Sequence, residues 1–314
     1  MTAYVAKRLL YGVAVMLAVT TLVFFLMRAI PGDPIRAMVG FEGDPEAVEQ
    51  IKKKWGFDKP LYVQYGRWFG NVLRGDLGNS IWLKQKVTKV LTEAFPRSLS
   101  LVVIAFTLST IIAIPIGIIS AVRRYSLLDY VVTFFAFLGL SMPAFWFGII
   151  LIILFASKLQ VLPAFGYEPL LSNPGGWFRH IILPAVAVGV PLIASLSRMT
   201  RSAVLEELKQ DYIDTARSKG VTELVVVLRH ALRNAMIPIV TVMGINLAVL
   251  FRGTVVIENV FAVKGLGRML ISGAINRDYP LLQGTILIIA GIFVLTNILV
   301  DILYTYINPK IRYH

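Results

Sequence analysis

Few side chains in this 314-residue chain are of a type and spacing that could do covalent chemistry. The three histidines, His180, His230 and His314, fall at the edges of apolar runs or at the C-terminus. Ser141 and Ser195 lie inside apolar runs, but no histidine or lysine lies deep enough there to act as their base. No G-x-x-x-x-G-K-[ST], H-E-x-x-H or G-x-S-x-G pattern occurs. There is no Gly-Lys dipeptide at all, so this chain cannot cradle ATP phosphates in that way. With no cysteine, disulfides, thiolate catalysis and cysteine metal sites are excluded. An enzyme is not expected, and neither is a cofactor or metal in this chain.

What remains is a set of polar or helix-breaking residues inside apolar runs, where an ionisable group is by default a functional candidate. Asn246, Arg252, Asn297 and Asp301 belong to it. Arg28 and Asp301 sit near the ends of runs, where snorkelling is the expected behaviour. Arg252 is deeper, with Glu258 under two turns away, and an outer gate contact and a structural ion pair stand as equal readings. Met142-Pro143 removes a backbone donor and would loosen its helix locally, for a lining or gating role or as a plain kink.

The elements that position these residues are membrane helices. The chain is 57% hydrophobic and only 16% charged, against about a quarter charged in soluble domains. Uncharged apolar runs fall near 9–30, 98–122, 130–157, 180–199, 235–257 and 280–304, each long enough to cross roughly 30 Å of hydrocarbon. The fold class expected is all-α and polytopic with six transmembrane helices. The first run reads as an uncleaved span, because Pro31-Gly32-Asp33-Pro34 follows it and no cleavage pattern does. The net charge of +13 is explained by positive-inside bias and anionic lipid, with no nucleic-acid partner. Lys7, Arg8, Arg123, Arg124 and the cluster from Arg201 to Arg233 place both termini and the loop between spans four and five on the cytoplasmic side.

Three regions follow: 1–30, a cytoplasmic segment and first span; 31–97, an extracytoplasmic helical loop; and 98–314, a five-helix core with a cytoplasmic loop at 200–234. Within 31–97, Asp44-Pro45-Glu46 is a helix start. A second helix begins at Asp58-Lys59-Pro60, carries Leu61, Tyr65, Trp68, Phe69 and Val72 on one stripe, and stops at Gly75. The stretch WLKQKVTKVLTEAF is expected to lie along the membrane surface.

The segment 211-DYIDTARSKGVTELVVVLRHALRNAMIPIV-240 is polar, yet it lies between two apolar spans. Leu205, Leu208, Tyr212 and Ala216 recur at helical spacing, with Ile213 broadening the face. Gly220 can turn the chain sharply, and a second helical stretch begins near Thr222. Two short helices at an angle are expected. A connector needs only a few residues, so more than thirty suggest a docking surface, although a solvated connection resting on the membrane also fits.

D-T-A-R-S-K-G (214–220) resembles the EAA loop of binding-protein-dependent ABC importer permeases, with Asp214, Thr215 and Ala216 in the E-A-A positions and Gly220 in that of the glycine. H-A-L-R-N-A (230–235) resembles the dipeptide/oligopeptide/nickel branch. So do R-A-I-P-G-D-P (28–34), G-D-L-G (75–78), S-M-P-A-F-W (141–146), G-L-G (265–267), R-D-Y-P (277–280) and N-P-K-I-R (308–312). Lys264 departs from the proline usual there. The long loop after the first span is similar to the "B"-type subunit.

The resemblance implies a type I ABC importer permease fold in the inner membrane of a prokaryote. This chain would form half of the pathway for di- or oligopeptides, with a second, "C"-type permease, two ABC ATPase subunits holding ATP and Mg2+, and an extracytoplasmic solute-binding protein. Nickel chelates or oligosaccharides are alternative cargoes. It further implies that helix 205–219 couples to an ATPase through Asp214, Ala216, Arg217 and Gly220, with Tyr212 as a buried anchor. Candidate pathway or gate residues are Met142, Pro143, Asn246, Arg252 and Glu258. From another class, an ion-coupled secondary transporter would need midplane carboxylates and inverted repeats, and neither is evident.

Overall fold

In hydrocarbon a backbone must satisfy its own polar groups, which leaves uncharged runs of this length the α-helix. The computed structural model describes residues 2–29, 46, 49, 53 and 56–307. Among them ten helices run in order: α1 Thr2–Ala29, α2 Leu61–Leu73, α3 Val87–Val122, α4 Leu127–Ser141, α5 Ala144–Lys158, α6 Pro174–Glu207, α7 Asp211–Ser218, α8 Glu223–Val260, α9 Leu266–Ile275 and α10 Tyr279–Ile307. Five of these are long and apolar enough to cross a membrane, and α4 with α5 makes a sixth if counted as one span. The expected start at Asp44-Pro45 lies outside the described residues, as do 308–314. Nothing is described of the Asp301 side chain.

The third apolar run, read as one span with a local loosening at Met142-Pro143, is not one continuous helix. It is bent by 106° between α4 and α5. Met142 is extended at ψ 130° and Pro143 caps α5, as the clash of a proline ring with the preceding residue favours. The second correction concerns WLKQKVTKVLTEAF. Its helical part is not a separate surface element but the first turns of α3, with Val87, Val90, Leu91 and Ala94 buried.

The chain divides into two compact units, residues 1–98 with 263–295, and 99–262 with 296–314. In the first, Phe24 of α1 is fully buried, with ring centroids 5.2 Å from Tyr65 and 5.3 Å from Trp68 of α2. Helix α2 ends at Leu73 with Arg74 as its C-cap, and Gly75 follows at φ +78°. Arg28 does not simply snorkel: its Nε donates to Gln64 Oε1 at 2.9 Å and its guanidinium lies 3.5 Å over the Phe24 ring. Leu266 and Leu281 close a core with the start of α3. Asp278 ties the loop before α3 to α10, accepting from Ser80 Oγ at 2.5 Å, Trp82 N–H at 3.0 Å and Leu281 N–H at 3.1 Å. The turn at Lys264 is well held, its carbonyl accepting from Arg97 Nη1 at 3.0 Å. The next N–H but one, at Leu266, donates to Ser98 Oγ at 2.8 Å.

In the second unit α6 is the hub, packed by α4, α5 and α8. Pro184 and Pro191 are tolerated inside it. Small residues allow close approach. At Gly117 of α3 an added Cβ would meet the Ser197 carbonyl oxygen at 2.6 Å, a backbone atom that cannot step aside.

Candidate functional site

The polar loop between α6 and α8 is built from the inside outward. Helix α6 ends at Glu207, and after three intervening residues Asp211 opens α7, whose acidic first turn (Asp211, Asp214) suits a helix N-terminus. The helical segment expected at 205–219 is therefore interrupted at 208–210, and α7 spans only Asp211–Ser218. Gly220 sits at φ +77°, the left-handed region that a glycine enters without strain. Beyond it α8 starts at Glu223 and continues unbroken into the fifth span, through a π-helical segment at Val226–Ala231 and past Pro238. Two separate short helices were expected. The loop holds one.

Three sets of contacts fix α7 to its neighbours. Ile213, wholly buried, and Ala216 pack on Val226 and Ala231, with Leu208 and Val221 at the edge. Tyr212, expected to be the buried anchor, is instead exposed at 38%. Its hydroxyl donates to Glu207 Oε2 at 2.5 Å and accepts from Asn234 Nδ2 at 3.1 Å, so it bridges the end of α6 to α8. Partial burial pushes this phenol above its usual pKa, and the Glu207 hydrogen bond adds to the shift. Arg217 makes the third link, with Nη2 2.7 Å from Glu223 Oε1, Nε 3.1 Å from Oε2 and Nη1 3.3 Å from Asp214 Oδ1. The Glu223 hydrogen bonds raise the Arg217 pKa further, so it stays cationic.

The buried face of α7 is thus Ile213 and Ala216, and its outer face is Asp211, Tyr212, Asp214, Thr215, Arg217 and Ser218. Ala216, buried against Val226 and Ala231, holds the loop from within. Leu224, 70% exposed, and Leu228 extend the outer face with apolar surface on α8. Mechanically, α7 is a short rigid rod, tied to two long helices by a core and by two polar links.

The candidate pathway residues do not converge. Asn246, Arg252 and Glu258 follow one another at six-residue intervals, which sends them to different sides of α8. Asn246 is half-buried with Nδ2 lacking a hydrogen bond among the described residues, Arg252 is exposed, and Glu258 is wholly buried. Met142 lines a cavity of about 510 Å³ with Ile116, Phe135, Val190 and Ala194. Ser197 is the polar side chain in that wall, so the cavity offers a polar solute little to bind.

One constellation was not found from the sequence. Asp129, 2% exposed, accepts from Arg201 Nε and Nη2, from the Ser120 hydroxyl and from the Tyr125 N–H. The available signal was Ser126 three residues before Asp129, a helix-start pattern. Ser126 does cap α4, accepting from the Asp129 N–H at 3.3 Å. Nothing in that pattern points to Arg201, seventy-two residues away.

Residues 113–313 match the family described as the binding-protein-dependent transport system inner membrane component, and residues 1–102 match its N-terminal companion. The chain belongs to this family. It is therefore a multi-pass inner-membrane component of a transport system. A putative peptide transport system permease protein of Brucella abortus is 44% identical over 313 residues, covering all of both chains. An oligopeptide transport system permease of Bacillus subtilis is 40% identical over 316 residues, again covering both in full. A di/tripeptide transport system permease of Pseudomonas aeruginosa is 40% identical over 334 residues, covering all of this chain and 99% of that one. Among solved structures, an inward-facing form of the MetNI methionine ABC transporter matches at TM-score 0.59. That match has 17% identity and covers 70% of this chain and 96% of that one, which speaks for the fold.

Proposed function

We propose that this chain is one of two permease subunits of an ATP-driven importer of di- or oligopeptides. Its termini and α7 face the cytoplasm, and its 31–97 loop faces outward. A second permease completes the pathway, a solute-binding protein delivers cargo outside, and two ATPase subunits carrying ATP and Mg2+ dock below. The peptide relatives that align over the full chain support the cargo. The observation that carries the coupling role is α7 itself. Ile213 and Ala216 root it while Asp214, Thr215, Arg217 and Ser218 stay exposed, so a partner that grips the outer face must move α6 and α8 together.

Co-reconstitution in proteoliposomes tests this reading. With all partners present, a radiolabelled tripeptide should accumulate only with ATP and binding protein. Uptake by this chain alone, or uptake driven by an ion gradient without ATP, would contradict it.

A further inference from the structure

The first unit contains a second polar site, distinct from the α7 loop. A cavity of about 610 Å³ is lined by Arg28, Arg67, Trp68, Asn71, Tyr279 and Gln283, among others. That size falls in the range of small-molecule sites, roughly 300–1,000 Å³. Its donors exceed its acceptors. Gln283 is 3% exposed, yet its Nε2 has no hydrogen-bond partner among the described residues. An unsatisfied buried amide of this kind is destabilising, so a donor held there points to an acceptor brought by a ligand. Arg28 is locked in place: Gln64 Oε1 accepts from its Nε, and the Gln64 amide is itself fixed on the Phe57 and Lys59 carbonyls at 3.2 and 2.7 Å. The Arg28 Nη1 donates to the Phe24 carbonyl at 3.3 Å. Neither Arg28 nor Arg67 forms an ion pair with a described carboxylate. Asp278, beside Tyr279 in the chain, does not serve them, because Ser80, Trp82 and Leu281 occupy its oxygens.

We infer that this cavity binds the carboxylate of a small ligand, with Arg28, Arg67 and the Gln283 amide as donors and Trp68 and Tyr279 as apolar walls. Under the function proposed above, on which the identity of the ligand rests, the group is the terminal carboxylate of an incoming peptide, met at the outer mouth of the chain. Two guanidinium groups and an amide suit a carboxylate, which has lone pairs for several donors, whereas a C-terminal amide would bring N–H groups against cations.

The test uses the whole importer complex in nanodiscs without binding protein, titrated with Ala-Ala, with Ala-Ala amide and with sodium acetate by calorimetry. Ala-Ala should bind at least about tenfold more tightly than its amide, the difference expected when a charged hydrogen bond is lost. Acetate should compete with it. Arg67→Gln, at an exposed position that leaves the core intact, should weaken Ala-Ala by a similar factor, and Arg67→Lys by less. Gln283→Leu should weaken it too, in complexes that elute intact. Equal binding of acid and amide, or unchanged binding in Arg67→Gln, would overturn the site. An importer that proves to carry no peptide, yet binds acetate through Arg67, would retract the proposed cargo and keep the carboxylate site. A working peptide importer that shows no Ala-Ala binding would do the reverse.

Discussion

Arg201 of α6 grips Asp129 in the first turn of α4 with two parallel hydrogen bonds, Nε to Oδ1 and Nη2 to Oδ2, each 2.7 Å. The same carboxylate takes the Ser120 hydroxyl of α3 and the Tyr125 N–H at 3.0 Å. Three helices therefore meet on one buried acid, less than two turns before α6 gives way to the α7 loop. Arg201→Leu should destabilise the purified complex by about 2–4 kcal/mol, because a buried charge is left without its counter-ion. Exchanging the residues, Asp129→Arg with Arg201→Asp, should not restore the loss, since the Tyr125 N–H, which can only donate, would then face a cation. A thermal melt of the three proteins decides it, and full recovery in the exchanged variant would contradict this account.

Gly220 is constrained by its backbone alone. An added Cβ would meet nothing within 4 Å, but φ is +77°. Gly220→Asn should therefore be near neutral, because asparagine tolerates the left-handed region. Gly220→Val should cost about 1–2 kcal/mol locally and uncouple ATP hydrolysis from uptake. Peptide uptake and ATPase rate measured together at matched expression check this. Equal uptake in Asn and Val variants would mean the turn is not needed.

Much of this was legible in the sequence, for identifiable reasons. Uncharged runs fix the existence of membrane helices, and the Gly220 turn follows from a lone glycine between amphipathic segments. The inward side of α7 was not legible. Tyr212 and Ile213 are adjacent and both apolar enough for a core, and only the packing of Val226 and Ala231 selects Ile213. The severity of the break at Met142-Pro143 was not legible either. Pro143 ends α4, while Pro184, Pro191 and Pro238 are carried inside helices, so proline alone does not tell a break from a tolerated kink. The turn at 208–210 has neither glycine nor proline, and nothing in its residue types demands it.

Ile213 and Tyr212 should separate packing from bridging. Ile213→Asp buries an unpaired charge and should free the loop from α8, exposing Arg217 and Lys219 to trypsin many times faster in membrane vesicles. Tyr212→Phe keeps the packing and loses the Glu207 and Asn234 links, worth about 1 kcal/mol each, so cleavage should rise only a few-fold. The opposite order would place the anchor at Tyr212.

Asp278→Ala should strand the Ser80, Trp82 and Leu281 donors and loosen the loop before α3, for about 2–4 kcal/mol. Asp278→Asn, which keeps one acceptor, should cost less. Hydrogen exchange at residues 79–83 reports the difference, and equal protection in both variants would show that Asp278 does not hold the loop.

In the coupling role proposed here, α7 receives the ATPase. The chain has no cysteine, so Ser218→Cys on the outer face of α7 is a single labelling site without further engineering. In the assembled importer, a short bifunctional thiol-to-amine reagent should cross-link it to an ATPase subunit. In right-side-out vesicles an impermeant maleimide should fail to reach it. Labelling of that thiol from the outside, or cross-links that never include an ATPase subunit, would contradict the account.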